Sequence, residues 1–137
     1  MADWVRAALA TASHGVLVTI GPDGEPRPVP FTYALVDDRI VGAVDHKPKT
    51  TTRLARLADI ERHGRASVLV EHYDDDWRRL WWVRISGPAA VQDPGDGTAV
   101  DALVAKYGQY RERRPSGPTY AVTIAQVRAW RATEAPS

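Results

Sequence analysis

Three prolines at alternate positions, Pro26, Pro28 and Pro30, constrain this chain more than any other feature of its sequence. Proline has no backbone N–H to give to a ladder, so a strand that alternates prolines leaves the N–H side of one edge unpaired. Such an edge borders solvent or a ligand. The segment before it, Gly15 to Ile20, is apolar and β-branched. Between the two lies Pro22-Asp23-Gly24-Glu25, with Pro and Gly where a tight turn needs them. The spacing predicts a hairpin: Gly15 to Ile20, then a return strand over Arg27 to Val36 at a sheet edge.

The rest of the chain repeats this economy of strands and short helices. Trp4 to Ala12 reads as a helix capped by Asp3, with Val5, Ala8, Leu9 and Ala12 on one face. Arg39 to Val44, Ala66 to Tyr73, Arg79 to Val91 (bending at Gly87-Pro88), Tyr120 to Ile124 and Arg128 to Ala132 read as strands. A helix ends near Arg62 with Leu54, Leu57, Ala58 and Glu61 on one side, and another spans Gly97 to Tyr107, closed by Gly108. Arg111 to Pro115 reads as a basic loop. With 137 residues the chain makes one domain, 1–137, large enough to bury a core without staples. Strands in antiparallel order with three helices predict a barrel or curled sheet, mainly β in class.

Composition removes several chemistries. There is no cysteine, hence no disulfide, thiolate metal site, iron–sulfur cluster or cysteine nucleophile. His14, His46, His63 and His72 fall on separate elements without metal-ligand spacing, and Asp74-Asp75-Asp76 lacks a calcium-loop pattern. A net charge of +1 and no recognition motif argue against nucleic acid. The longest stretch without formal charge, Ala7 to Pro22, is broken by Ser13, His14, Gly15 and Gly21, so no membrane span is expected. An acidic start, Met1-Ala2-Asp3-Trp4, is unlike a secretory leader, and the expected location is cytoplasmic.

Two segments carry candidate chemistry. Fifteen of the eighteen basic residues are Arg, which makes Lys47-Pro48-Lys49 stand out. With Thr50, Thr51 and Thr52 it leads from a strand into a helix, where free N–H groups and the helix dipole favour an anion, and a phosphate above all. His46 adjoins it. The plainer reading is a threonine cap with both ammonium groups in water. In the second segment, Trp81 and Trp82 must point to opposite faces of their strand. One enters the core; the other meets a helix, a second subunit or a flat ligand.

The order of these elements resembles the pyridoxamine 5′-phosphate oxidase-like split β-barrel family, and within it the branch that uses the deazaflavin coenzyme F420. The resemblance is carried by Gly15-Val16-Leu17-Val18-Thr19 with the Asp23-Gly24 turn, Pro28-Val29-Pro30-Phe31, Asp45-His46-Lys47-Pro48-Lys49 opening a helix, and Trp82-Val83-Arg84-Ile85-Ser86-Gly87. It runs from about Val5 to Trp130. It implies a six-stranded antiparallel split barrel of the FMN-binding type with short flanking helices, and a homodimer with cofactor at the subunit interface. It further implies that Lys49 most directly, with Lys47 and Thr50 or Thr51 as neighbours, holds the cofactor phosphate; His46, beside the lysine pair, is a further candidate for holding that anion. Val29, Pro30 and Phe31 pass along the ring, and Trp82 meets it.

The implied activity is an F420-dependent oxidoreductase passing hydride to a small organic electrophile. The flavin oxidases carry an Arg-Lys pair where this chain has Lys47-Pro48-Lys49, and Trp130-Arg131 are not spaced like their pyridoxal phosphate motif, so pyridoxamine oxidation is not expected. FMN on the same fold is the alternative cofactor, and a non-catalytic F420 or flavin carrier the alternative role.

Overall fold

A computed structural model describes residues 1–44 and 51–132, the side chains of 51–54 excepted. The elements in chain order are α1 (Asp3–Thr11), β1 (Gly15–Ile20), β2 (Pro26–Phe31), β3 (Ala34–Val36), β4 (Arg39–Ala43), α2 (Thr51–His63), β5 (Arg65–His72), β6 (Trp81–Gln92), α3 (Gly97–Lys106), α4 (Gly108–Glu112), β7 (Thr119–Thr123) and β8 (Gln126–Arg131). All strand pairs are antiparallel, in the order β2-β1-β5-β6-β7-β4-β3, with β8 also on β6.

Among the described residues the sheet has 8 strands and its ends, β2 and β3, do not pair, so in place of the expected six-stranded barrel they form an open, mainly antiparallel sheet. The added strands have local causes. The expected return strand over Arg27 to Val36 breaks at Thr32-Tyr33 because Tyr33 turns fully inward, its phenol donating to Leu9 O at 2.5 Å. Its first part stays on β1 while its second joins β4 in the other half of the sheet. The proline strand β2 is an edge, as alternate prolines require: Pro26, Pro28 and Pro30 stand opposite Ile20, Val18 and Val16.

Strand β6 joins the two halves. Its first residues, Trp81 to Pro88, pair with β5, and its last, Ala89 to Gln92, pair with β7. The β7–β8 chain also pairs with β6, and its register slips by one residue opposite Gly87, from Ala89↔Val122 to Ser86↔Gln126. A Cβ at Gly87 would overlap the carbonyl oxygen of Thr123 and come within 3.1 Å of the Ala125 nitrogen. Only glycine admits this crossing.

Alternation along the strands fills the interior. Leu17, Val68, Val70, Val83, Ile85 and Val122 are each at most 1% exposed, and Val5, Leu9, Leu57 and Ile60 close the core from α1 and α2. The buried face of α2 is thus Leu57, Asp59 and Ile60; Ala58 and Glu61, expected on it, are exposed. Asp3 is inside α1 rather than its cap, and the helix has no side-chain cap. Arg111 lies in α4, where a loop was expected, and Trp77–Arg79 form a 3-10 turn capped by Asp76 before β6. No helix among the described residues is long and apolar enough to cross a membrane.

Gly87→Ala is expected to lower stability by about 3 kcal/mol, because backbone rather than a flexible side chain must move. Urea unfolding checks this: a variant within about 0.5 kcal/mol of the parent would show that the crossing does not depend on this glycine.

Candidate functional site

A cleft of about 620 Å³ opens between the end of β4, the Thr32-Tyr33 crossover and the α3–α4 junction. Ala43 and Val44 form part of its wall, and the Val44 N–H donates to Pro118 O at 3.1 Å. The next described residue is Thr51, which begins α2, and α2 carries Arg56 into the same cleft. The chain between, 45–50, holds His46, Lys47, Lys49 and Thr50. These four lie outside the described residues, as does the side chain of Thr51.

Arg56 is the cation of this cleft. Its Nη1 donates to Tyr120 Oη at 2.9 Å, and its guanidinium carbon stands 5.9 Å from the Tyr120 ring centroid. The ring reaches this position because residue 42 is glycine: a Cβ there would come within 2.6 Å of Tyr120 Cζ. Arg56 Nε is buried with no hydrogen-bond acceptor, and among the described residues no carboxylate pairs with the guanidinium. An unpaired buried donor on a cation is costly, and an anionic ligand is the group that relieves it.

The opposite wall is aromatic and hydroxyl-rich. Tyr110 Oη and Thr32 Oγ1 are 2.7 Å apart. Tyr107 Oη accepts from the Tyr33 N–H at 3.2 Å and lies 2.8 Å from Ser13 O and 3.0 Å from Tyr33 O. Lys106 donates to Tyr33 O at 3.0 Å, its Nζ 4.0 Å from the Tyr33 ring centroid. His14, Nδ1 2.9 Å from Ser13 Oγ, completes the rim. Burial lowers the Lys106 ammonium to about 8 and raises the phenols of Tyr33 and Tyr107.

Behind Arg56 lies a second cleft of about 320 Å³, shared with Thr19, Arg27, Val29 and Asp59. Here the charges are satisfied. Asp59, 1% exposed, accepts from Thr19 at 2.9 Å, Arg27 Nε at 2.9 Å and Arg62 at 3.1 Å, with a further bond to Arg27 Nη2. Burial opposes its ionisation, but the bonds from Arg27, Thr19 and Arg62 outweigh that and hold the carboxyl below its ordinary range.

Of the residues the sequence singled out, Pro30 lines the Arg56 cleft and Val29 the cleft behind it. The Phe31 side chain is in the core, its ring 5.5 Å from Tyr33 and 6.5 Å from Tyr120. Trp82 stands on the outer face of β6, on another concavity. Arg56, Tyr107, Tyr110, Tyr120 and His14 carry no motif. Their weak signals are the i, i+3 spacing of Tyr107 and Tyr110 and the position of Arg56 just inside the helix after the lysine pair.

Residues 1–133 match the pyridoxamine 5′-phosphate oxidase family. The chain belongs to that family. No curated protein matches it. Among solved structures it is similar to the conserved hypothetical protein Rv2991 from Mycobacterium tuberculosis, at 20% identity and TM-score 0.74 over 96% of this chain and 86% of that one. It is also similar to an FAD-binding protein from Mesorhizobium loti (18%, TM-score 0.66, 94% and 92%). A heme-binding protein from Mycobacterium smegmatis gives 17% and 0.69, over 90% of this chain and 52% of that one. Such identities carry the fold alone. Structures of this fold thus include one described as FAD-binding and one described as heme-binding.

The shift at Lys106 fixes a pH dependence. Its folded-state value lies below the ordinary 10.5, so the unfolded chain binds the extra proton as pH rises from about 8, and stability should increase over that interval. Above about 10, the raised phenols of Tyr33 and Tyr107 reverse the slope. Urea midpoints between pH 7.5 and 9.5 (about 7.5–9.5 chosen to bracket the lysine alone) should rise in the parent and stay flat in Lys106→Met; a flat parent curve refutes the assignment.

Proposed function

We propose that this protein is an F420-dependent oxidoreductase that acts as a homodimer, with the cofactor in the Arg56 cleft at the subunit seam. The observation that carries the reading is Arg56: a guanidinium with no carboxylate partner among the described residues, its Nε buried without an acceptor, at the foot of a cleft large enough for a planar cofactor.

The donor set suits such a group. Arg56 offers charge-assisted hydrogen bonds to a phosphate, and the segment with Lys47, Lys49 and Thr50 joins the cleft wall to the start of α2. Pro30 belongs to a strand edge that a flat ring can approach, and Tyr107 and Tyr110 form the facing wall. When bound, a reduced deazaflavin supplies the hydride; the chain binds, orients and shields it. Trp82 is on another face, so it reaches a ring in this cleft only when a second subunit brings it, which is one reason for the homodimer.

Deazaflavin titration of the purified protein tests the reading. Arg56→Ala and Lys49→Ala should each weaken binding by about 10- to 100-fold, and unchanged affinity in both would overturn it. The FAD-binding structural relative favours FMN as the second reading. That reading is supported by a yellow protein from an ordinary host that does not titrate with deazaflavin. A carrier would bind the cofactor tightly and deliver hydride to no acceptor.

A further inference from the structure

We propose that the free edge of β2 sets which redox form of a ring cofactor this chain prefers. Pro28 and Pro30 offer it carbonyl acceptors and no N–H, which favours the reduced, N–H-bearing ring over the oxidised one. The inference rests on the reading that a deazaflavin or flavin occupies the Arg56 cleft, and it holds for either ring.

Register fixes the polarity of this edge. In an antiparallel pair, rows that exchange hydrogen bonds alternate with rows whose N–H and C=O groups point away from the partner. The Gly21 N–H donates to Glu25 O at 2.9 Å, so the bonded rows continue at Thr19↔Arg27, Leu17↔Val29 and Gly15↔Phe31. Pro26, Pro28 and Pro30 fall on the rows between. Their missing N–H therefore costs the β1–β2 ladder nothing, and their carbonyls point out from the edge, where β2 has no further strand. An ordinary edge offers an N–H beside each outward carbonyl. From Pro26 to Pro30 this one offers carbonyls alone, and among the described residues no donor reaches the Pro28 or Pro30 carbonyl.

The edge borders both clefts that hold Arg56, one lined by Pro28 and the other by Pro30. A cofactor whose anionic group sits on Arg56 thus has its ring beside acceptors about 7 Å apart, two residues along a strand. An oxidised deazaflavin carries a lone pair at ring N1, and an oxidised flavin carries lone pairs at N1 and N5. Lone pair against carbonyl repels, and the carbonyl is left without a donor. The reduced ring differs by one hydride, at C5 of the deazaflavin or N5 of the flavin, and one proton at N1. A lone pair has become an N–H donor, and the same edge gains a hydrogen bond. Prolines also guard an edge against pairing with another chain, but a guard is indifferent to the redox form of a ligand.

Anaerobic tryptophan-fluorescence titration of the whole protein with oxidised and reduced deazaflavin, and with FMN and its reduced form, tests this. In the parent the reduced ring should bind about tenfold more tightly than the oxidised one. Pro28→Ala and Pro30→Ala each restore an outward N–H, and at least one should bring the two affinities within about threefold. That change should come from tighter binding of the oxidised form, a gain that damage to the fold does not produce. Arg56→Ala should weaken both forms and keep their ratio. Equal affinity for the two forms in the parent, or the parent's ratio in both proline variants, overturns the inference and leaves the cofactor reading standing. Proline variants that self-associate on size exclusion while keeping the parent's ratio also overturn it, and make the prolines edge guards. A parent that binds neither pair overturns the cofactor reading and this inference with it.

Discussion

The passage of the β7–β8 chain across β6 at Gly87 is the contact on which the rest of the architecture depends. One long strand carries β7 on its last residues and β8 on its first because the neighbouring backbone can slip its register by one residue, at close range, where no Cβ intervenes. The crossing sets the direction of β7, which carries Tyr120, and of β8, which carries Arg128 and Trp130. The Arg56 cleft, with Tyr120 in its wall, therefore takes its geometry from it.

Two arginine environments separated by a single helix turn show how the fold distinguishes structure from function. Arg27 and Arg62 converge on the buried carboxylate of Asp59, where every lone pair in reach is used. That cluster fixes α2 against β1 and β2. Arg56, one turn earlier on the same helix, has a phenol for company and a buried nitrogen unpaired. Neutralised charge ties elements together; charge left over is available to a ligand. An FAD-binding and a heme-binding protein share this fold, so the fold alone does not choose a ligand and local differences of this kind must.

Much of this was legible beforehand, for definite reasons. The β1–β2 hairpin and its edge position follow from the proline alternation, a local rule about a missing donor. The opposite orientation of Trp81 and Trp82 follows from strand geometry. The break at Thr32-Tyr33 was not legible, because it comes from the burial of one phenol against α1, a contact across 24 positions of sequence. The buried face of α2 was not legible because Asp59, polar by type, is drawn inside by Thr19 and Arg27 on two distant strands together with Arg62 on its own helix. Arg56 carries only the weak signal of its place just inside the helix after the lysine pair. Its meaning depends on which acids fail to come near it, a property of the whole fold.

The sequence by itself determined the class of elements, the edge strand, the absence of cysteine chemistry and the family, since each is written in local periodicity, donor inventory and motif order. The tertiary structure alone decided that β6 is shared and that Arg56 and Tyr120 meet above Gly42. Those relations join residues far apart along the chain, and whether a charge is paired or stranded depends on long-range register, which no short window of sequence contains.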